Sequence, residues 1–322
     1  MFDFMEDVIL LSDPKSKAWD FSEKIHKSIY DEKEVKISLK EVSIKLFRNG
    51  EIDMHVPSNI RNKDVYFIQD SSKNPQQWWV ELLLLKDLAL SASANSISWV
   101  LPNMLYSRKD RKDQPHVPIS ARALAASLAP YPKRIITMDL HAAQIQGFYP
   151  ASVPVENLYS FPSAVNYLRS HNSIKNLEKL VIVSPDAGGT VRAESFARRL
   201  KSEYPIAFID KRRVNGEVKE MRLAGDVTNK DVLIVDDMID SGGTLIEGAN
   251  LLKENKANTL YCYGCHGLFT KGVNELKTYF DKIFTSNTHY KEGNDVEVID
   301  VSPVFGDAVY RTHKGMSISK LF

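Results

Sequence analysis

Apolar residues along this chain fall into two alternating patterns. Short runs rich in Val, Ile, Leu and aromatics, each bounded by Asp, Ser, Pro or Asn, predict β-strands over 7–12, 35–47, 64–70, 96–103, 134–140, 179–186, 205–210, 231–237, 259–267 and 282–288. Between them, segments with apolar positions three and four apart predict helices over 16–30, 76–93, 120–130, 161–171, 189–204, 244–255 and 273–280, with Ser120 as an N-cap. This alternation argues for βαβ units, hence an α/β fold with mostly parallel sheets. The pattern breaks at 147–163, which carries Pro150, Pro154 and Pro162. It divides the chain into a first domain, 1–159, and a second, 160–303, with a tail, 304–322, able to pack back on the first. RIITMDLH and DVYFIQD in the first half echo DVLIVDDM and KLVIVSPD in the second, a hint of duplication.

Composition narrows the class. With 322 residues, 43% hydrophobic and 26% charged, the chain suits two domains with full cores. A net charge of +1 gives no bulk attraction to nucleic acid or to a membrane surface, so any basic function must be local. MFDFMEDVILL at the start carries Asp3, Glu6 and Asp7 and too short an apolar run for a signal peptide or a span, which makes the cytoplasm the expected compartment. Cys262 and Cys265 form a lone C-x-x-C without a second ligand pair; small core or turn residues are the first reading, metal or redox use the alternative, and His266 follows them.

The densest chemistry lies in DVLIVDDMIDSGGT, residues 231–244. Val232 to Val235 read as a strand covered on both faces, so Asp236, Asp237 and Asp240 sit at its C-terminal end, the edge where open α/β sheets bind ligands. Gly242 and Gly243 let backbone N–H groups approach an anion where the next helix starts. A phosphate alone would be repelled by the acids. A sugar phosphate would not: carboxylates can accept from vicinal hydroxyls, or hold a divalent cation, while the turn takes the phosphate.

Other strand ends also carry polar groups. Asp139 and His141 follow one strand, and Asp186 with Gly188 and Gly189 follows another. Lys211, Arg212 and Arg213 precede Asn215-Gly216, a hairpin signal that would put the cations on a flap able to close over a ligand. In YSRKDRKDQPHVPIS, residues 106–120, the charges nearly cancel, which suits a single nucleotide better than a polymer: Arg clamps phosphate or stacks on a base, and a neighbouring Asp orients it.

Taken in order, LFRNGE, YSRKDRKDQPHVPISAR, MDLHAAQIQGF, VSPDAGGTVR, IDKRR, LIVDDMIDSGGT and IDVSPVFGDAVYRTHKGMSISKLF resemble the ribose-phosphate pyrophosphokinase family, also called phosphoribosyl diphosphate synthetases. The resemblance implies two similar phosphoribosyltransferase-like domains, each with a mostly parallel sheet flanked by helices. It implies transfer of the β,γ-diphosphate of ATP to the anomeric hydroxyl of ribose 5-phosphate, with Mg2+ required, in a cytoplasmic homo-oligomer, dimer or hexamer. By the same resemblance Phe47, Asn49, Gly50, Glu51, Arg108, Lys109 and Asp113 surround ATP. Asp236 and Asp237 face the ribose hydroxyls, and Asp240, Ser241, Gly242, Gly243 and Thr244 hold the 5-phosphate. His141 and Asp186 lie at the metal, and Lys211 and Arg213 are catalytic flap cations, Arg213 also reaching ribose 5-phosphate. Asn49 stands where many members carry Asp, and Lys109 where Gln is usual. A phosphoribosyltransferase and a non-catalytic synthetase-associated subunit are the alternatives, with neither nucleic acid nor membrane as a partner.

Overall fold

The computed structural model describes residues 3–129, 131–214, 217–289 and 295–321, with backbone alone at 3, 4, 6, 211–214 and 217–219. The chain divides into two units, one of Met1–Tyr159, Thr288–Tyr290 and Val301–Phe322, the other of Ser160–Asn287 and Lys291–Asp300.

In the first unit, strands β1 (Asp3–Ser12), β2 (Val35–Glu41), β5 (Asp64–Ile68), β6 (Ser96–Leu101), β7 (Arg134–Met138) and β8 (Val155–Leu158) form one sheet in the order β2-β1-β5-β6-β7-β8. All its pairings are parallel. β5 is buried at every residue, as a strand covered on both faces must be. Helices α1 (Ala18–Lys33), α2 (Pro75–Ser91) and α3 (Ser120–Leu128) link the strands. α2 starts where the sequence says it should: Pro75 fills the first turn, which has no use for its missing N–H, and the Asn74 side chain accepts from the Gln76 N–H at 2.9 Å. Trp78, Leu82 and Leu85 of α2 join Phe67 and Trp99 in the core, the last two meeting edge to face at 6.1 Å.

Two expectations change in this unit, and two segments that carried no prediction take up helical structure. The run 35–47 is two strands in two sheets: β2 pairs with β1, whereas β3 (Ser43–Leu46) pairs antiparallel with β4 (Ile52–His55) in a separate ribbon. Val42 makes the switch, buried and donating its N–H to the Ser12 carbonyl at 2.9 Å. Ser120 is the first residue of α3, with no side-chain cap bond. The segment 143–148 winds as a 3-10 helix. And the tail contains a helix, Ser302–His313, that no amphipathic run announced. It packs on α1 through an edge-to-face contact of Phe305 with Phe21 at 5.4 Å and an ion pair of Asp307 with Lys33 at 2.9 Å.

The second unit holds β9 (Leu180–Ser184), β10 (Ala207–Val214), β11 (Glu217–Ala224), β12 (Asp231–Ile239), β13 (Leu260–Gly267), β14 (Lys282–Ser286) and β15 (Glu297–Ile299), in the order β11-β10-β9-β12-β13-β14-β15. Only β10 with β11 is antiparallel. Helices α4 (Phe161–Ser170), α5 (Thr190–Leu200) and α6 (Gly243–Glu254) accompany the sheet. The helix expected over 273–280 is reduced to a 3-10 turn, Leu276–Thr278. It is hemmed in: Gly272 turns the chain at φ 78°, and Asp281 already donates to the Leu260 carbonyl at the entry to β14. Within 273–280 the backbone bonds change spacing, Lys277 N–H to the Val273 carbonyl at 3.0 Å but Thr278 N–H to Glu275 at 3.1 Å and Tyr279 N–H to Leu276 at 3.0 Å, so no continuous α ladder forms.

A buried ionic knot ties the first unit together. Glu81, fully buried on α2, meets Lys73 Nζ at 2.9 Å and Gln69 Nε2 at 2.9 Å, and Lys73 also reaches Asp13 at 3.1 Å, so the ends of β1 and β5 are laced to α2. Removing one partner leaves a buried charge uncompensated. Lys73→Met is therefore expected to cost about 3–5 kcal/mol of unfolding free energy, read by urea denaturation; a midpoint equal to the parent's would show the knot to be neutral.

Candidate active site

β9 and β12 are parallel neighbours, in register from Asp231 opposite Leu180 to Ile234 opposite Val183, so the loops that follow them leave from the same sheet edge. β12 runs further than its apolar core suggests. Asp236 and Asp237 lie within it, Asp236 opposite Gly264 and Ile239 opposite Gly267 of β13. The carboxylates are thus held by a sheet ladder and are not carried on a loop. Asp237 is buried, at 4% exposure.

One nitrogen holds the pair. Arg192, in the first turn of α5, places a terminal guanidinium nitrogen 3.4 Å from Asp236 and 3.3 Å from Asp237. The Asp236 carboxylate also accepts from the Asp237 N–H at 2.8 Å. One full positive charge faces two negative ones. Withdrawal from water and the neighbouring Asp237 charge hold the Asp236 carboxyl well above the usual carboxylate range, with Arg192 pulling the other way. Arg192 was not singled out in the sequence. Its signal was there: the residue lies just inside the helix that follows the Gly-Gly turn of the adjacent strand, a position that parallel pairing of β9 with β12 aims at the acids.

The turn after β12 is built for an anion. Asp240 braces it, accepting from Thr270 Oγ1 at 2.8 Å while its carbonyl accepts the Thr270 N–H at 3.1 Å. Gly242 sits at φ 82°, and a Cβ there would come within 2.9 Å of the Leu276 side chain, so only glycine fits. α6 then starts at Gly243 with no side-chain cap bond, its first-turn N–H groups and dipole directed outward beside exposed Gly243 and Thr244 and half-buried Ser241. Acids that suit hydroxyls therefore adjoin donors that suit a phosphate.

At the end of β9, Asp186 is exposed and accepts from the Gly189 N–H at 2.9 Å, capping the short turn that leads into α5. β10 pairs with β9 only at Ala207 and Phe208 but continues against β11 to Val214. The backbone of Lys211 and Arg213 thus belongs to a ribbon that runs past the end of β9. The expected turn, Asn215 and Gly216, and the side chains of Lys211, Arg212 and Arg213 lie outside the described residues.

The remaining candidates belong to the first unit. Phe47, Asn49, Gly50 and Glu51 form the exposed turn between β3 and β4: the Phe47 N–H donates to the Glu51 carbonyl at 2.8 Å, and the Asn49 side-chain oxygen accepts from the Glu51 N–H at 3.2 Å. Phe47 is 55% exposed, an apolar ring offered to solvent. Arg108, Lys109 and Asp113 lie exposed in the loop after β6, where Lys109 pairs with Asp113 at 2.6 Å and lowers that carboxyl's pKa. His141 is exposed beyond β7. His141 and Asp186 belong to different units.

Among the described residues no three His, Cys, Asp or Glu side chains group as a metal cage. Mg2+ does not ask for one, since it commonly takes one or two protein ligands and fills its shell with water and phosphate oxygens. The exposed carboxylate of Asp186 fits that donor set. Cys262 and Cys265 form no disulfide and are buried in β13, and burial pushes the Cys262 thiol up, away from thiolate chemistry. Among the described residues no helix is long and apolar enough to cross a membrane.

An acidic pair at a strand end, followed by a glycine turn and an open helix N-terminus in a parallel sheet, defines a phosphoribosyltransferase-type domain. Residues 164–304 match the model of the phosphoribosyl transferase domain, and residues 15–130 match that of the N-terminal domain of ribose phosphate pyrophosphokinase. Ribose-phosphate pyrophosphokinase 4 of Saccharomyces cerevisiae is 37% identical over 90% of this chain and 89% of its own. The ribose-phosphate pyrophosphokinase of Wolinella succinogenes is 37% identical over 89% and 92%. The crystal structure of phosphoribosylpyrophosphate synthetase from Mycobacterium smegmatis superposes with a TM-score of 0.84 at 27% identity, covering 96% of this chain and all of that one. The chain belongs to the ribose-phosphate pyrophosphokinase family.

The raised Asp236 carboxyl has a measurable consequence. Its folded value lies above the unfolded one of about 4, so this residue's contribution to stability is full below that pH and is lost as pH rises through the folded value. Asp236→Asn removes the loss. The ligand-free variant is expected to melt about 2–4 °C above the parent at pH 8, with the gap closing toward pH 4. A gap that is constant across this range would mean that charge is not its cause.

Proposed function

We propose that the protein is a ribose-phosphate diphosphokinase: it transfers the β,γ-diphosphate of ATP to the anomeric hydroxyl of ribose 5-phosphate, releasing AMP and 5-phosphoribosyl 1-diphosphate. One observation carries the reading, the junction of the Asp236–Asp237 pair with the open N-terminus of α6 on a single turn. It suits a molecule with hydroxyls at one end and a phosphate at the other. Asp236 and Asp237 accept from the ribose hydroxyls, and backbone N–H groups at Gly242, Gly243 and Thr244, with Ser241, take the 5-phosphate while Asp240 keeps the turn in shape.

In the first unit, Phe47 offers a face for the adenine ring, and Arg108 and Lys109 offer charge to the triphosphate, with Asp113, Asn49, Gly50 and Glu51 around them. Asn49 keeps the oxygen that builds the turn but presents an amide where a carboxylate would bring negative charge. In-line displacement at phosphorus needs positioning and positive charge where negative charge builds, and Lys211 and Arg213 of the flap supply it. Mg2+, held by Asp186 and His141, would neutralise phosphate oxygens when bound. The assembly is a homo-oligomer, dimer or hexamer, and the compartment the cytoplasm.

Incubation with ATP, ribose 5-phosphate and magnesium is expected to yield AMP in step with ribose 5-phosphate consumed. Release of orthophosphate in place of AMP overturns the reading; consumption of phosphoribosyl diphosphate with a free base would mark a phosphoribosyltransferase. Lys211→Ala is expected to lower kcat by about 10²–10³ while both substrates still bind, and near-normal turnover would remove Lys211 from the chemistry.

A further inference from the structure

We infer that Arg192 is a positioning residue for sugar recognition: it clamps Asp236 and Asp237 into one fixed acceptor array for the vicinal hydroxyls of the sugar phosphate. This rests on the reading of that acidic pair as the site of the ribose hydroxyls.

Successive side chains on a strand leave from opposite faces of the sheet. Asp236 and Asp237 are successive residues of β12, yet a carboxylate oxygen of each comes within 3.4 Å of the same guanidinium nitrogen. They converge because two constraints act together. Asp236 folds back along the chain to accept the Asp237 N–H at 2.8 Å, and Arg192 offsets the repulsion that would send the two charges apart. The clamp itself is braced. Its helix begins at the turn that Asp186 caps through the Gly189 N–H, and Arg192 retains only 22% side-chain exposure. A guanidinium suits this work better than an ammonium, since its rigid plane fixes the direction in which that one nitrogen points.

Asp236 keeps 21% of its side-chain surface exposed and Asp237 6%, so the pair meets solvent mainly through Asp236. A diol arriving there meets acceptors whose spacing is already set. Such preorganisation spares the sugar the work of drawing two like charges together. Loss of the clamp should therefore fall on the sugar phosphate and leave the nucleotide's binding unchanged.

Steady-state kinetics of R192Q and R192K test this. R192Q is expected to raise the KM for ribose 5-phosphate about tenfold or more, the order expected when hydrogen bonds to charged groups are misaligned, while the KM for ATP stays within about twofold. R192K, which restores the charge but not the rigid plane, is expected to recover part of the loss. A ribose 5-phosphate KM equal to the parent's, a parallel rise in both KM values, or a lowered melting temperature with kinetic constants intact would each overturn the inference. Calorimetric titration with ribose 5-phosphate and magnesium separates it from the proposed reaction. If the parent binds the sugar phosphate but forms no AMP, the reaction is wrong and the titration decides: about tenfold weaker binding by R192Q upholds the clamp, and equal binding overturns it. A parent that does not bind ribose 5-phosphate overturns both.

Discussion

Two carboxylates side by side on one strand, one of them buried, cannot both carry charge without a cation close by. In this protein that requirement organises a whole sheet edge. Arg192 can meet the acids only if α5 starts beside β12, which needs β9 as the parallel neighbour of β12 and the short turn at Asp186 to launch the helix. The glycine turn after β12 must then leave in the one direction that the Leu276 side chain allows. Acids, cation and anion-binding turn are thus parts of one arrangement, in which one guanidinium only partly offsets the charge it faces.

The same edge explains the division of labour among its polar residues. Asp240 is spent on the fold, its carboxylate engaged by Thr270. Asp186 caps a turn with one oxygen while remaining exposed. A carboxylate's proximity to a phosphate turn is therefore no guide to its task. What separates these acids is which backbone donors and hydroxyls their own loops aim at them.

Much of this was legible in the sequence where one signal dominated. β12, β9 and β5 declared themselves because strands covered on both faces carry continuous apolar runs at their centres. The turn at Gly242 was readable as a strand-to-helix junction because Gly-Gly in that context calls for the left-handed backbone it adopts, φ 82°. The sequence failed where tertiary partners supplied what local pattern lacked. The helix Ser302–His313 contains Pro303 and Gly306, residue types with low helix propensity, yet the proline occupies a first turn that does not need its N–H, and the glycine lies where α1 approaches closely. The run 35–47 looked like one strand because nothing in it marks the change of partner at Val42. Arg192 was one arginine among several on α5, the others being Arg198 and Arg199, and only the order of strands shows which of them faces the acids.

The helix at Ser302–His313 has a further consequence, for the order of events during synthesis. Its Phe305 and Asp307 complete a surface of α1, so an earlier portion of the chain depends on a later one, with the second unit's residues inserted between them. On the ribosome, Phe21 must wait until the strands of the second unit have been made before its covering ring appears. The inserted unit has every strand of its own sheet before that moment arrives, so of the two units the one whose strands are made earlier is completed later.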